Sequence, residues 1–408
     1  MQQRFFLEHQ MNNISLKVAI SVALAGSLSS FASADISLYD YDEATSSYED
    51  AYFTLDFNVG KNREDEQSSY NLDLGVDYDR VLSSPDRDLT LKLNTDGNIS
   101  RAGTEGAKST DSYNVDTSIT VDNYFKSGSK GAFWYGSARV QADDSFDDLQ
   151  TKLSGGLGYG RVTNVTPMAK AIRLVDELRE RGSISSTPSK AVYNQIAKII
   201  SNENEYKSKH GARSKFYQQH WLGDIEKVLK SSGVAGSLNA AGILGARDVL
   251  VDERISTRKY GWKVRAGLTY VGTNFEGLKD NPGVELGGEY HKPLSNKTQF
   301  SNVATLLTTF DDKTSYTVDN NMSLTHELDD RLDWENSWNM NYNHSQIDDD
   351  DVTTNTLTSK LIYELGNSLD LTLSAKVKNS DGNDTLVAGD KVDGTDHSVN
   401  FGVRYRLK

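Results

Sequence analysis

The sequence predicts an all-β transmembrane barrel of about 14 antiparallel strands, with an α-helical insert between strands 6 and 7. Apolar and polar residues alternate with a period of two over most of the chain, and a helical period replaces this alternation between residues 163 and 255. The composition agrees, because five prolines against 20 tyrosines is typical of β-rich proteins.

The alternation defines the strands. It begins with Ala51, Phe53, Leu55, Phe57 and Val59, which are separated by polar residues, and it ends with the strand at residues 399–407. Such strands are amphipathic, and two closed folds suit them. A soluble sandwich buries the apolar faces between two sheets, whereas a transmembrane barrel turns them to lipid.

Three features favour the barrel over the sandwich. Many strands are about 9–11 residues long, the length that crosses a bilayer when tilted. Aromatic residues lie near strand ends, as with Tyr70 and Tyr78 or Trp334 and Tyr342. The polar faces carry charges of both signs, which suits a water-filled lumen, and the residues that we expect to face it are Asp73, Asp77, Lys263, Arg265, Asp333, Glu335, Lys376, Arg404 and Arg406. Pro85, Pro282 and Pro293 are expected in connections.

The N-terminus reads as a secretory signal peptide over residues 1–34. Lys17 precedes an apolar core that begins at Val18, and Ala32-Ser33-Ala34 forms a small-residue cleavage site. The predicted domains are therefore the signal peptide 1–34, barrel strands 1–6 over residues 35–162, the helical insert 163–255 and barrel strands 7–14 over residues 256–408.

Charge and cysteine content exclude several classes of function. The chain carries 44 Lys and Arg against 58 Asp and Glu, a net charge of −14, which argues against a nucleic-acid partner. It has no cysteine, so disulfides, thiolate metal sites and cysteine nucleophiles are excluded.

The insert is expected to contain four amphipathic helices. Thr166-Pro167 and Thr187-Pro188 have the form of helix starts, and two further helices are predicted near residues 213–230 and 238–251. Residues 163–255 carry 14 Lys and Arg against 10 Asp and Glu, so the insert is basic while the barrel is acidic. It could plug the lumen, dock a periplasmic partner or acidic polymer, or be an inert insertion with a solvated basic face.

Connection lengths predict on which side the insert lies. If the first strand starts in the periplasm, the odd-to-even connections average about nine residues and the even-to-odd turns about four. Long extracellular loops and short periplasmic turns are typical of such barrels. The insert follows strand 6, so it is expected on the periplasmic side.

These features resemble Gram-negative outer-membrane β-barrel proteins, broadly porin-like. The last strand is similar to the assembly signal of that class, in which an aromatic residue follows glycine by three positions and an apolar residue follows by five. The matching residues are Phe401, Gly402, Tyr405 and Leu407, although the chain continues to Lys408 and has no terminal aromatic residue. The resemblance implies location in the cell outer membrane and, as partners, outer-membrane lipid, lipopolysaccharide and the barrel-assembly machinery.

Chemistry-bearing motifs are sparse. The histidines have no metal-ligand spacing, and no nucleophile elbow for a catalytic triad is present, so no enzyme activity and no cofactor are predicted. The run Asp348, Asp349, Asp350 and Asp351 could bind Ca²⁺ or Mg²⁺, although a solvated loop is the simpler interpretation.

Three functions are therefore compatible with the sequence. The first is a narrow pore for ions or small polar solutes, gated or plugged by the insert, since fourteen strands lie between filled eight-stranded barrels and wide porins. The second is a structural or assembly protein whose insert docks an envelope partner. The third, which the absence of a catalytic motif disfavours, is an outer-membrane enzyme.

Overall fold

A computed structural model of the chain describes residues 36–42, 45–60, 67–211, 216–273, 279–310, 314–345, 350–366, 368–382 and 394–407. The fold below belongs to the unit Leu38–Lys408. The predicted signal peptide lies outside the described residues.

The predicted fold class is confirmed. Fourteen antiparallel strands form one closed barrel in which each strand pairs with its sequence neighbours, and β1 pairs with β14 to complete the ring. The strands are β1 Ser46–Gly60, β2 Ser69–Ser83, β3 Arg87–Arg101, β4 Thr110–Tyr124, β5 Ala132–Asp143, β6 Gln150–Asn164, β7 Lys259–Thr273, β8 Lys279–Ser295, β9 Thr298–Phe310, β10 Thr314–Asp329, β11 Leu332–Ser345, β12 Asp350–Gly366, β13 Leu369–Gly382 and β14 Gly394–Arg406.

The apolar face of each strand points outward. Leu268 is 73% exposed and Leu157 is 61% exposed, although both lie in mid-strand. Leaving such side chains in water is unfavourable, and a contiguous exposed apolar surface on a closed barrel is the lipid-facing belt of a membrane protein. Members of this belt include Leu153, Tyr159, Trp262, Val264, Tyr290, Leu373, Val399 and Phe401.

Two prolines differ from the prediction. Pro85 lies in the turn between β2 and β3, but Pro282 and Pro293 lie inside β8. Both are close to an end of that strand, and the register shifts between Pro293 and Ser295. A proline cannot donate to the ladder, and a strand end or bulge tolerates that loss.

The insert lies between β6 and β7, as predicted, and all four predicted helices are present, but the prediction missed a fifth. The described residues contain five α-helices, α1 Thr166–Glu180, α2 Lys190–Ser201, α3 Glu203–His210, α4 Phe216–Ser231 and α5 Ala240–Arg247, followed by a π-helical turn Asp248–Asp252. The extra helix, α3, has no buried residue and therefore no apolar stripe to reveal it. Its acidic first turn and basic last turn complement the helix dipole.

The helices share a small core of their own. Trp221 is fully buried and its indole Nε1 donates to the backbone oxygen of Ile199 at 2.8 Å. Most of the other buried apolar residues of the insert lie on α1, α2, α4 and the π turn, among them Met168, Ile172, Leu174, Val175, Leu178, Ile196, Ile225, Leu229 and Val249. No helix among the described residues has both the length and the apolar character needed to cross a membrane.

Candidate functional site: the barrel mouth under the insert

The insert leaves and rejoins the barrel at one point. Asn164, the last residue of β6, is the register partner of Lys259, the first residue of β7. The turns at residues 84–86, 125–131, 296–297 and 330–331 lie at the same end of the barrel, which we call the insert end. The insert is therefore a long excursion from what is otherwise an ordinary β-hairpin.

The segment that returns to β7, residues 253–258, crosses the insert end. We call it the strap. Arg254 lies only five residues before β7, yet its Nη1 donates to Asp370 of β13 at 2.6 Å. In the ring, β13 is six strands from β7 and therefore almost opposite. A chain that starts at one wall and contacts the opposite wall lies across the opening.

Other strap residues contact different parts of the wall. Ser256 Oγ donates to Asp333 of β11 at 3.1 Å, and Thr257 Oγ1 donates to the hydroxyl of Tyr48 on β1 at 2.6 Å. Together with Arg254, these contacts join the strap to β1, β11 and β13. Polar bonds to three separated strands fix the position of the strap more firmly than contacts with one strand would.

Arg258 anchors the strap. Its side chain is fully buried; Nη2 contacts Glu327 of β10 at 2.6 Å, and Nε donates to the backbone oxygen of Asn296 at 3.1 Å. Arg173 of α1 binds the other oxygen of Glu327 and also binds Glu253. Removing one partner of such a buried pair costs about 3–5 kcal/mol, because the other charge is left unpaired in a poorly solvated place.

Glu253 is poised for titration near neutral pH. Its side chain is 13% exposed. Burial raises the pKa of the Glu253 carboxyl to about 7, although Arg173 opposes the shift. The carboxylate at the start of the strap therefore changes charge within the physiological range.

The wall inside the barrel carries a buried charge cluster. Asp122 of β4 accepts from Lys263 Nζ at 2.9 Å and from Arg265 Nη2 at 2.7 Å, both on β7. Glu289 of β8 lies 2.8 Å from Arg265 and 3.4 Å from Lys263. Two strands separate β4 from β7 in the ring, so these bonds pass through the interior.

Aromatic rings fill the same side of the interior. Phe133 of β5 is fully buried and Tyr135 is 2% exposed. A Cβ on Gly158 would lie 2.2 Å from the ring of Phe133, and a Cβ on Gly267 would lie 2.5 Å from the hydroxyl of Tyr135. The glycine run that follows Ser154 is therefore a platform for rings and not a phosphate loop.

A cavity of about 510 Å³ lies between the insert and the barrel. Residues of β1, α1, α3, the strap and β14 line it, and its charged lining residues are Glu49, Asp50, Lys170, Glu203, Lys207, Arg254, Lys259, Glu335, Arg404 and Arg406. A space of this size is comparable to small-molecule sites in other proteins.

The predicted lumen residues fall into separate groups. Lys263 and Arg265 belong to the buried cluster, and Asp333 binds the strap. Glu335, Arg404 and Arg406 line the cavity. Asp73 accepts from the amides of Asn71 and Asn98, each at 2.6 Å, while Asp77 and Lys376 lie within electrostatic reach of Lys360 and Asp96 respectively.

The assembly-signal residues lie on the strand that closes the ring. Phe401 and Tyr405 are exposed on the outer face of β14, and Leu407, just after the strand, is exposed as well. Gly402 is the register partner of Asp56 on β1, and a Cβ there would overlap the Asp56 carboxylate. Glycine at this position therefore allows β1 and β14 to close with Asp56 in place.

The predicted calcium or magnesium site is only partly described. Asp348 and Asp349 lie outside the described residues, as does the side chain of Asp350. Asp351 accepts from Tyr342 at 3.0 Å and bonds with His344 at 2.6 Å. Within the described ranges, no group of three or more His, Cys, Asp or Glu could hold a metal ion.

The closed ring, its lipid-facing belt and its polar, charged interior decide the class of protein. The fold is that of an outer-membrane β-barrel protein. Residues 252–365 match a family model described as a protein of unknown function, DUF481. This match covers β7 to β12 and less than half of the chain. No curated protein is similar enough in sequence to match.

Several solved barrels are similar in structure. An anion-selective porin from Comamonas acidovorans has 10% identity over 88% of this chain and 100% of its own, with a TM-score of 0.33. A loop L8 deletion mutant of OmpT, an outer membrane protein of Vibrio cholerae, has 9% identity over 90% and 100%, with a TM-score of 0.30. OprB of Pseudomonas putida, in a low-pH structure, has 6% identity over 89% and 93%, with a TM-score of 0.33.

The sequence did not reveal the most connected residues of the mouth. Arg254, Arg258 and their wall partners Glu327 and Asp370 were not among the predicted site residues. A signal exists, since residues 252–254 and 258–259 carry five charges immediately before an amphipathic strand. Charges at a helix-to-strand connection are common, however, and only the closed ring shows that these residues cross it.

Proposed function

We propose that this barrel is a narrow pore for ions or small polar solutes, and that the helical insert gates its periplasmic mouth. The observation that carries the proposal is the path of the strap. Arg254 and Arg258 hold it against β13 and β10, so the insert lies over the opening.

The form of the contacts favours a gate over permanent packing. The strap is joined to the wall by ion pairs and hydroxyl bonds, and Ile255 is its buried apolar residue. Ion pairs respond to pH and ionic strength, whereas the apolar core of the insert does not depend on the barrel wall. The insert can therefore move as a unit while its own core stays intact.

The interior lining suits small polar solutes. Charges of both signs line it, and the β4 to β8 side is occupied by the buried cluster and by aromatic rings. A lumen narrowed in this way favours ions and small solutes over large ones.

Removing the insert tests the proposal. Because Asn164 and Lys259 are register partners, residues 165–258 can be replaced by Asn-Gly, a two-residue turn that closes a β-hairpin. Single-channel conductance is then measured for the refolded full chain and for the shortened chain in planar bilayers. We expect discrete conductance steps from both proteins, with larger steps or a higher open fraction after removal of the insert.

Other outcomes decide between the functions. Equal conductance of both proteins would contradict a gate and would favour the insert as a docking arm for an envelope partner. Silence from both proteins, when protease protection shows that they have inserted, would contradict the pore itself.

A further inference from the structure

We propose that the cavity under the insert is a binding site for a small oxyanion, a carboxylate or a phosphate, held by Arg404 and Lys170 beside Tyr52. This inference goes beyond gating, because the site exists whether or not the barrel conducts. It rests on cavity geometry and on donors that lack acceptors.

Two arginines lie close to the ring of Tyr52. The guanidinium of Arg404 lies 4.7 Å from the ring centre of Tyr52, and that of Arg254 lies 5.3 Å from it. Both donate to the same oxygen, Oδ2 of Asp370, at 3.0 and 2.6 Å. Asp370 therefore serves both cations, and Glu364 lies 3.9 Å from Arg254 as a second carboxylate, which leaves Arg404 with Asp370 alone as its ion-pair partner among the described residues.

Arg404 retains an unused donor. Its side chain is 9% exposed, and Nη2 is buried without a hydrogen-bond acceptor among the described residues. A buried N–H that lacks an acceptor costs about 1–3 kcal/mol. Because Arg404 lines the cavity, an oxygen atom of a bound ligand would satisfy this donor.

Lys170 supplies a second donor from the insert. It lines the cavity from α1 and forms no hydrogen bond or ion pair with the described residues. Burial lowers the pKa of its ammonium; the nearby carboxylate of Glu203 opposes this shift, and the charge of Arg406 adds to it. A bound anion would favour the charged ammonium and offset its repulsion from Arg406.

The carboxylates that line the cavity are mostly occupied. Glu49 accepts from Tyr78 at 3.0 Å, Asp50 accepts from Tyr48, and Glu203 binds Lys207 at 3.0 Å. Glu335 is the fourth carboxylate in the lining of the cavity. The donors without acceptors therefore belong to cations, which favours an anionic ligand over a metal cation.

Calorimetric titration of the detergent-folded full chain with inorganic phosphate, and separately with succinate, tests the site. We expect saturable binding of at least one anion. Phosphate binding alone would indicate a phosphate ligand, and succinate binding alone would indicate a carboxylate. Lys170→Met and Arg404→Gln should each weaken binding at least tenfold. The control Lys227→Met, at a lysine whose side chain is 79% exposed on α4, should leave binding unchanged.

The result that would overturn the proposal is equally direct. If the titration shows no saturable heat with either anion, the cavity is not an oxyanion site. The same conclusion follows if Lys170→Met binds the anion with unchanged affinity. If Arg404→Gln does not fold, Lys170→Met decides the question, because Lys170 has no bond to a described residue that its replacement could break.

Discussion

Arg254 and Asp370 lie 2.6 Å apart, although Arg254 adjoins β7 and Asp370 belongs to β13 on nearly the opposite wall. The side chains are 12% and 5% exposed. This ion pair closes a bridge across the insert end and determines how the insert sits on the barrel.

Arg254→Gln should loosen the strap and increase the open fraction of the pore. The substitution removes the charge that binds Asp370, while Arg258 still anchors the strap at Glu327. Single-channel recording measures the effect. Arg181→Gln is the matched control, because the described contacts of its side chain, with Glu177, Asp248 and the backbone of Ala241, all lie within the insert. An equal change in both variants would show that the effect is not specific to the strap.

The stability of the insert on the barrel should fall as pH rises through about 7. Burial raises the pKa of Glu253 to about 7, whereas an unfolded glutamate titrates at about 4.3. The folded state therefore holds the proton more tightly, so the extra stability is full below about pH 4 and is lost through pH 7. The difference between these two pKa values corresponds to about 4 kcal/mol.

Hydrogen exchange of the α1 amides at pH 5.5 and 8 measures this dependence. We expect faster local opening at pH 8, after correction for the intrinsic exchange rate. Glu253→Gln should abolish the difference, since it removes the titrating group. A pH dependence that persists in Glu253→Gln would assign it to another residue.

Gly158→Ala should destabilise the barrel by about 1–3 kcal/mol, the usual cost of overpacking a filled interior. The added methyl would overlap the ring of Phe133, which is fully buried. Gly136→Ala on β5 is the control, because a Cβ there meets nothing within 4 Å. Urea titration of the folded barrels in detergent compares the two, and equal midpoints would mean that the ring moves aside freely.

Trp221→Ala should unfold the insert while the barrel stays closed. Removing a fully buried tryptophan costs about 3–5 kcal/mol, a large loss for the small core of the insert. Limited proteolysis should then cut between residues 165 and 258, while the barrel keeps its shifted mobility in unheated gels. Loss of the barrel band as well would show that barrel and insert fold as one unit.

Much of the fold follows from local patterns, because strands such as β1 and β7 alternate strictly and α1 has a proline start and an apolar stripe. The sequence pattern does not predict features that depend on contacts between distant parts of the chain. Helix α3 buries nothing, and Pro282 is tolerated only because it lies near the end of β8. Lys263 and Arg265 were predictable as charges on a polar face. Their partner Asp122 was not, because two strands separate them in the ring.

A reversible tether between insert and wall tests the central claim most directly. Asn204 of α3 and Ser47 of β1 are joined by a 3.4 Å hydrogen bond, and the chain has no cysteine of its own. In the double variant Ser47→Cys and Asn204→Cys, an oxidised disulfide should hold the channel at its lowest conductance, and reduction should restore opening. Conductance that is the same before and after reduction, with the disulfide verified, would contradict gating by the insert.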